Sequence, residues 1–130
     1  MSQPCLCGRL NARGQVIAFE GCCARYLDCA TPAPDAESLM RSRYSAFVLQ
    51  RPAYLLATWH PSSRPDELSL DLGVKWLGLA IKAHRMTDAD HAEVVFVARS
   101  RIGGRGHRLE ECSRFVREEG CWLYVDGDVS

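Results

Sequence analysis

Five of the chain's seven cysteines fall in one short stretch, PCLCGRLNARGQVIAFEGCCARYLDC at 4–29. A thiolate is a soft ligand, and four thiolates at tetrahedral geometry suit zinc, which needs no redox partner. Cys5 and Cys7 are one residue apart and Cys22 and Cys23 are adjacent, so each pair can reach one ion if the backbone turns beside it. Gly8 directly after Cys7 suits such a turn. Disulfide pairing and redox use are the competing chemistries. The odd cysteine count and the absence of any export signal argue against disulfides, because cytosolic thiols are kept reduced.

A cysteine-rich head of about 30 residues with few large apolar side chains could hardly fold alone, whereas structural zinc supplies apparent binding energy of about 10 kcal/mol or more. The expected ligands are therefore Cys5, Cys7, Cys22 and Cys23, with Cys29 standing apart. Cys112 and Cys121 are expected to be small buried or half-buried residues. A hairpin turning at 118–120 would pair Cys121 with residue 116 or 117, which rules against a Cys112–Cys121 disulfide.

A second set of residues could serve a ligand or a proton transfer. Arg43 falls on or beside the apolar stripe of a helix, where a charge needs a partner. Glu111 shares a strand face with Leu109, Ser113 and Phe115, so an Arg43–Glu111 ion pair is the simplest expectation. His60 and Glu111 are the candidate acid/base groups, and Trp59, Trp76 and Trp122 are candidate aromatic walls. His60 precedes Pro61 at a helix end, where a histidine can equally cap carbonyls.

These residues need elements to position them. After the head (1–30), Thr31-Pro32-Ala33-Pro34-Asp35 forms a linker and supplies a helix start. Apolar residues at helical spacing predict a helix over 35–50 with Asp35 as its N-cap. Pro52 suits the first turn of a second helix, 53–59, which His60-Pro61 must end. Ser63, with Asp66 three positions on, predicts a short third helix towards Leu72. The period then changes to that of strands at 76–83, 93–101, 108–117 and 121–125, with turns at 88–90, 103–106 and 118–120. The expectation for 31–130 is an α+β domain with helices laid on one face of a curved, four-stranded antiparallel sheet. Such a layout often encloses a cavity between its layers.

Sixteen basic side chains balance sixteen acidic ones, so the chain has no general attraction for polyanions, and nucleic acid is an unfavoured partner. Fourteen of the basic residues are arginine, and Arg99, Arg101, Arg105, His107 and Arg108 cluster at one turn, read as a solvated hairpin tip. No apolar run has the length of a membrane helix, and the opening MSQPCLCGRL is not of signal-peptide type. A cytoplasmic location without membrane association follows as the expectation.

The C-x-C-G at 5–8 with Cys22-Cys23 resembles the SEC-C motif, a zinc module known from the end of a translocation ATPase. LMRSRYSAFVLQ with YLLATWHP, then WLGLAI, FVAR, ECSRF and CWLYVDG, resembles the YchJ family of uncharacterised bacterial proteins nearly end to end. The resemblance implies a SEC-C head on a nuclear transport factor 2-like (cystatin-like) domain, and it brings no established activity. This chain departs from the motif in having Arg9 and Leu10 where serine and a second glycine are usual. It also carries a long insert between the cysteine pairs, which costs little closure entropy. Some relatives have a second SEC-C copy at the C-terminus; a function needing two would require a dimer here, so monomer and homodimer both stay open. Three functions compete: a zinc-stabilised adaptor whose head contacts a protein partner, a small-ligand-binding or lyase/isomerase-like enzyme using the cavity, and a thiol redox sensor.

Overall fold

The computed structural model describes residues 3–28 and 31–129. The chain opens with a knuckle at Cys5–Gly8, where the Gly8 amide donates to the Cys5 carbonyl at 3.1 Å and Gly8 takes φ +73°. That left-handed conformation is nearly free for glycine and costly for a residue with a Cβ. The insert between the cysteine pairs is a compact hairpin. Leu10 bridges Val16 and Pro4 bridges Ala18, while Asn11 Oδ1 accepts from the amides of Arg13 and Gln15. A single 3₁₀ turn, Phe19–Gly21, then leads through Cys22 and Cys23 into α1 (Ala24–Leu27).

Helix α2 (Ala36–Leu49) starts as the sequence dictates, with Asp35 accepting from the Ser38 amide at 2.7 Å. It ends at Gln50, which takes φ 58°. Helix α3 (Pro52–Ala57) has proline at its first position, where a missing N–H costs nothing. The third helix expected at 63–72 does not form; 61–73 is turns and irregular chain. The Ser63 hydroxyl donates to the Val125 carbonyl and accepts from Trp59 Nε1 instead of capping a helix. Pro65 and the period-two spacing of Leu68, Leu70 and Leu72 also oppose one.

The sheet follows in simple meander order, β1 (Val74–Met86), β2 (His91–Ile102), β3 (Arg105–Glu118) and β4 (Cys121–Val129), all neighbours antiparallel. These strands run longer than the sequence pattern suggests, because cross-strand pairing carries them past the apolar segments. Irregularities at Trp76/Gly78 and Ile81/Ala83 in β1 alter the simple alternation. A bulge adds one residue and flips which side chains face inward. Trp76, Leu79 and Ile81 therefore all pack on the core, while Leu77 is exposed.

Helix α2 covers the inner sheet face. The four head cysteines and Tyr26 share one contiguous buried cluster with Leu39, Met40, Tyr44, Phe96, Phe115 and Trp122. Among the described residues no helix is long and apolar enough to cross a membrane.

Candidate functional site

The sulfurs of Cys5, Cys7, Cys22 and Cys23 all lie within 4.8 Å of one another, and all four residues are buried. Cys7 and Cys22 are 3.7 Å apart at Sγ. A tetrahedron with metal–sulfur bonds of about 2.3 Å has sulfur–sulfur edges of about 3.8 Å, so this pair already stands at the required spacing. It is far outside the roughly 2.05 Å of a disulfide. The knuckle at Gly8 aims the first pair, and the 3₁₀ turn running into α1 aims the second. Cys29 lies outside the described residues.

Crowding four thiols makes them share protons. Hydrogen bonds from Cys22 and then Cys23 draw Cys7 down to about 7, and the same donors hold Cys5 below the usual thiol range. Cys23 is pushed well above it by Cys22, Cys5, Cys7 and burial. For Cys22 the Cys23 hydrogen bond favours the thiolate, but Cys5, Cys7 and burial outweigh it. The quartet thus accepts its first negative charges readily and resists the last, an obstacle that a bound divalent cation removes. The donor set fits a four-thiolate metal.

The head is clamped to α2 by two arginines that sequence reasoning missed. Arg41 Nη1 donates to the Cys7 carbonyl at 3.0 Å while its Nε pairs with Glu37 at 2.8 Å. Burial works against the Arg41 cation, but Glu37 and Cys7 outweigh it and hold its pKa above the usual value. Arg9, which replaces the usual motif serine, donates to Ser38 Oγ at 2.8 Å. The departure from the motif at position 9 is thus put to use: a long side chain reaches the next domain where a serine could not.

A cavity of about 290 Å³ lies between α2 and the sheet. Arg43, Trp59, Trp76, Glu111 and Ser113 line it, together with Tyr124. Met40, Arg43, Tyr44 and Phe47 reach it from one face of α2, at the spacing of successive helical turns. Two expected liners belong elsewhere. Phe115 is buried under Tyr124, with ring centroids 5.8 Å apart, and does not line this cavity. Trp122 packs further along the sheet near Tyr26, Leu39 and Tyr54, with Arg117 over its ring.

The expected Arg43–Glu111 ion pair is not formed. Arg43 Nη1 donates to the Leu55 carbonyl at 2.8 Å and to Thr58 Oγ1 at 2.7 Å, at the end of α3. Its guanidinium also stacks 4.6 Å from the Tyr124 ring centroid and 5.3 Å from that of Trp59. Burial pushes its pKa down to about 10, so it remains a cation at neutral pH. Glu111 accepts from the Ser113 hydroxyl instead and leans across Gly127, where an added Cβ would collide with its carboxylate. Burial, then repulsion from Glu111, raises Tyr124 to about 12, so its phenol stays neutral.

His60 and Glu111 do not meet. The chain leaving α3 joins β4, with Trp59 bridged to Tyr124 and the His60 amide donating to the Tyr124 carbonyl at 2.7 Å. This leaves the His60 ring outside the cavity, between Ser62 Oγ at 2.7 Å and Glu118 Oε2 at 2.9 Å. The Ser62 amide donates to Nδ1, so Nε2 carries the proton towards Glu118 in the neutral ring. The contact ties the loop after α3 to the end of β3. Cys112 is half-buried, its thiol donating to Glu93 Oε2, whereas Cys121 is exposed and not the buried residue expected. The strand register sets Cys112 opposite Asp128 and Cys121 opposite Glu118, well apart.

The family described as YchJ, middle NTF2-like domain, matches residues 35–127. A UPF0225 protein of Polaromonas naphthalenivorans is 59% identical over 98% of both chains. Another, from Polaromonas sp. strain JS666, is 62% identical over 96% of this chain and 92% of its own. A SEC-C motif containing protein from Rhodopseudomonas palustris, solved in solution, superposes with TM-score 0.82 at 28% identity, covering 98% of this chain and 99% of that one. The crystal structure of a SEC-C motif containing protein from Psychrobacter arcticus gives TM-score 0.81 at 32% identity, over 98% and 83%. The chain therefore belongs to the YchJ (UPF0225) family, with a four-cysteine cluster at its N-terminus and an NTF2-like α+β domain behind it.

Proposed function

We propose that the protein is a zinc-stabilised adaptor, in which one structural zinc held by Cys5, Cys7, Cys22 and Cys23 fastens the head to α2 and the head meets a protein partner. The convergence of four buried sulfurs carries this reading. A closed four-sulfur site leaves no open position for substrate, which makes the metal structural and not catalytic. The same geometry speaks against a redox sensor, since sensor thiols are exposed and these are buried. Reduced zinc thiolates fit a cytoplasmic setting. The exposed apolar residues Leu6, Leu10 and Val16 give the head a surface for a protein. Cross-linking in the native host tests the adaptor role. A partner cross-linked to the wild-type head and lost with Leu10→Asp supports it, whereas an unchanged set of cross-links rejects it.

A second reading has its own observation, the cavity beneath α2. With His60 outside it, Glu111 is the one candidate acid or base left there. Ligand binding is therefore favoured over lyase or isomerase chemistry. Saturable binding of a small organic molecule, with shifts confined to cavity residues, is the supporting result.

A further inference from the structure

Arg43 is 3% exposed, yet no carboxylate contacts it among the described residues. A guanidinium offers five donors in a planar fork. Both of its hydrogen bonds use Nη1, so Nε and Nη2 have no protein acceptor among the described residues, and these two nitrogens form the edge that binds a carboxylate in bidentate fashion. The faces of Trp59 and Tyr124 offset part of the charge but supply no acceptor for that edge. A buried cation with an open fork at a cavity wall is an anion receptor.

The opposite charge in the cavity is already engaged. Glu111 is held by Ser113 and fitted against Gly127, away from contact with Arg43. Two opposite charges kept apart across one cavity suit a ligand with an acceptor at one end and a donor at the other. The remaining wall is apolar and mostly aromatic, with Tyr44, Phe47, Trp76 and Phe96 set to meet a ring by edge or face. At about 290 Å³ the space is at the small end of sites for organic ligands, which run from roughly 300 to 1,000 Å³.

We propose that this cavity binds a small aromatic carboxylate bearing a hydroxyl or amino donor, with Arg43 holding the carboxylate, Glu111 accepting from the donor and the aromatic residues enclosing the ring. The proposal rests on the cavity reading above and is independent of the head.

The probes are meta-hydroxybenzoate, benzoate and the neutral meta-hydroxybenzamide, titrated into the full metal-loaded chain and followed by tryptophan fluorescence and amide NMR shifts. Meta-hydroxybenzoate is expected to bind saturably, with the amide at least about tenfold weaker for loss of the charge-assisted pair. Benzoate is expected to fall between them. Arg43→Lys keeps the charge but not the fork, so it should weaken meta-hydroxybenzoate binding while retaining part of the preference for carboxylate over amide, and Arg43→Met, which removes the charge, should abolish that preference. Because Arg43 also ties the end of α3, Ala98→Leu serves as a second variant that fills the cavity from β2, and it should abolish binding. Equal binding of carboxylate and amide, both lost in Ala98→Leu, would overturn the anion assignment while keeping the cavity reading. Failure of all three probes to bind the folded wild type would sink both. Carboxylate binding unaffected by Ala98→Leu would move the ligand off this site and overturn the proposal.

Discussion

Arg41 on α2 donates to the backbone carbonyl of Cys7 at 3.0 Å, so the first cysteine turn of the head hangs from the helix that opens the NTF2-like domain. The bond is charge-assisted and largely shielded, and such bonds contribute about 1.5–3 kcal/mol. Arg41→Met is expected to lower stability by about that amount and to speed metal loss to a chelator. Thermal melts and chelator kinetics, wild type against variant, check both effects.

Removing a sulfur should be felt beyond the head. Cys5, Cys7, Cys22 and Cys23 belong to the same buried cluster as Leu39, Tyr44 and Phe115. Cys23→Ser is therefore expected to cost several kcal/mol through lost metal binding and to melt head and sheet in one transition. The measurement is calorimetry; an unchanged main transition with only the head disordered would show that the head folds separately.

Acid should release the metal. Bound thiolates carry no protons, whereas the unfolded thiols are protonated at neutral pH, so the unfolded state binds more protons and stability rises with pH. Metal release should therefore grow as pH falls, because protons compete with the metal for the four sulfurs. Metal retained against pH, followed with a colorimetric chelator, gives the curve. Release that grows as pH rises would contradict the sign.

Gly127 leaves the space that the Glu111 carboxylate fills. Gly127→Ala is expected to destabilise by about 1–3 kcal/mol, an overpacking cost. Adding Glu111→Ala should recover most of that loss, because the second change removes the obstruction. A double-mutant cycle in denaturant reads the coupling.

His60 pairs with the half-exposed Glu118 and does not line the cavity beneath α2. His60→Ala should cost no more than about 1 kcal/mol. Aromatic carboxylate binding in the cavity should be unchanged, as checked by the same fluorescence titration.

The cysteine quartet, the Asp35 cap and the four-strand meander were legible in the sequence because each rests on local spacing or local chemistry. The losses came where distant groups compete for one side chain. Arg43 looked destined for Glu111, but the carbonyl of Leu55 and the hydroxyl of Thr58 take its Nη1. His60 looked like a cavity residue until its backbone joined β4 beside Tyr124. Ser63 had the pattern of a helix cap and instead hydrogen-bonds Val125. The clamps from Arg9 and Arg41 had no periodic signature, since each depends on how the head docks. The change of inward-facing parity within β1, from Trp76 to Leu79 and Ile81, comes from a bulge that no alternation pattern encodes.

The proposed metal centre is tested most directly by X-ray absorption at the zinc edge, with metal content measured on the same sample. The account predicts one zinc per chain with four sulfur neighbours at about 2.3 Å. A folded chain purified without metal, or a metal with fewer than four sulfur ligands, would contradict it.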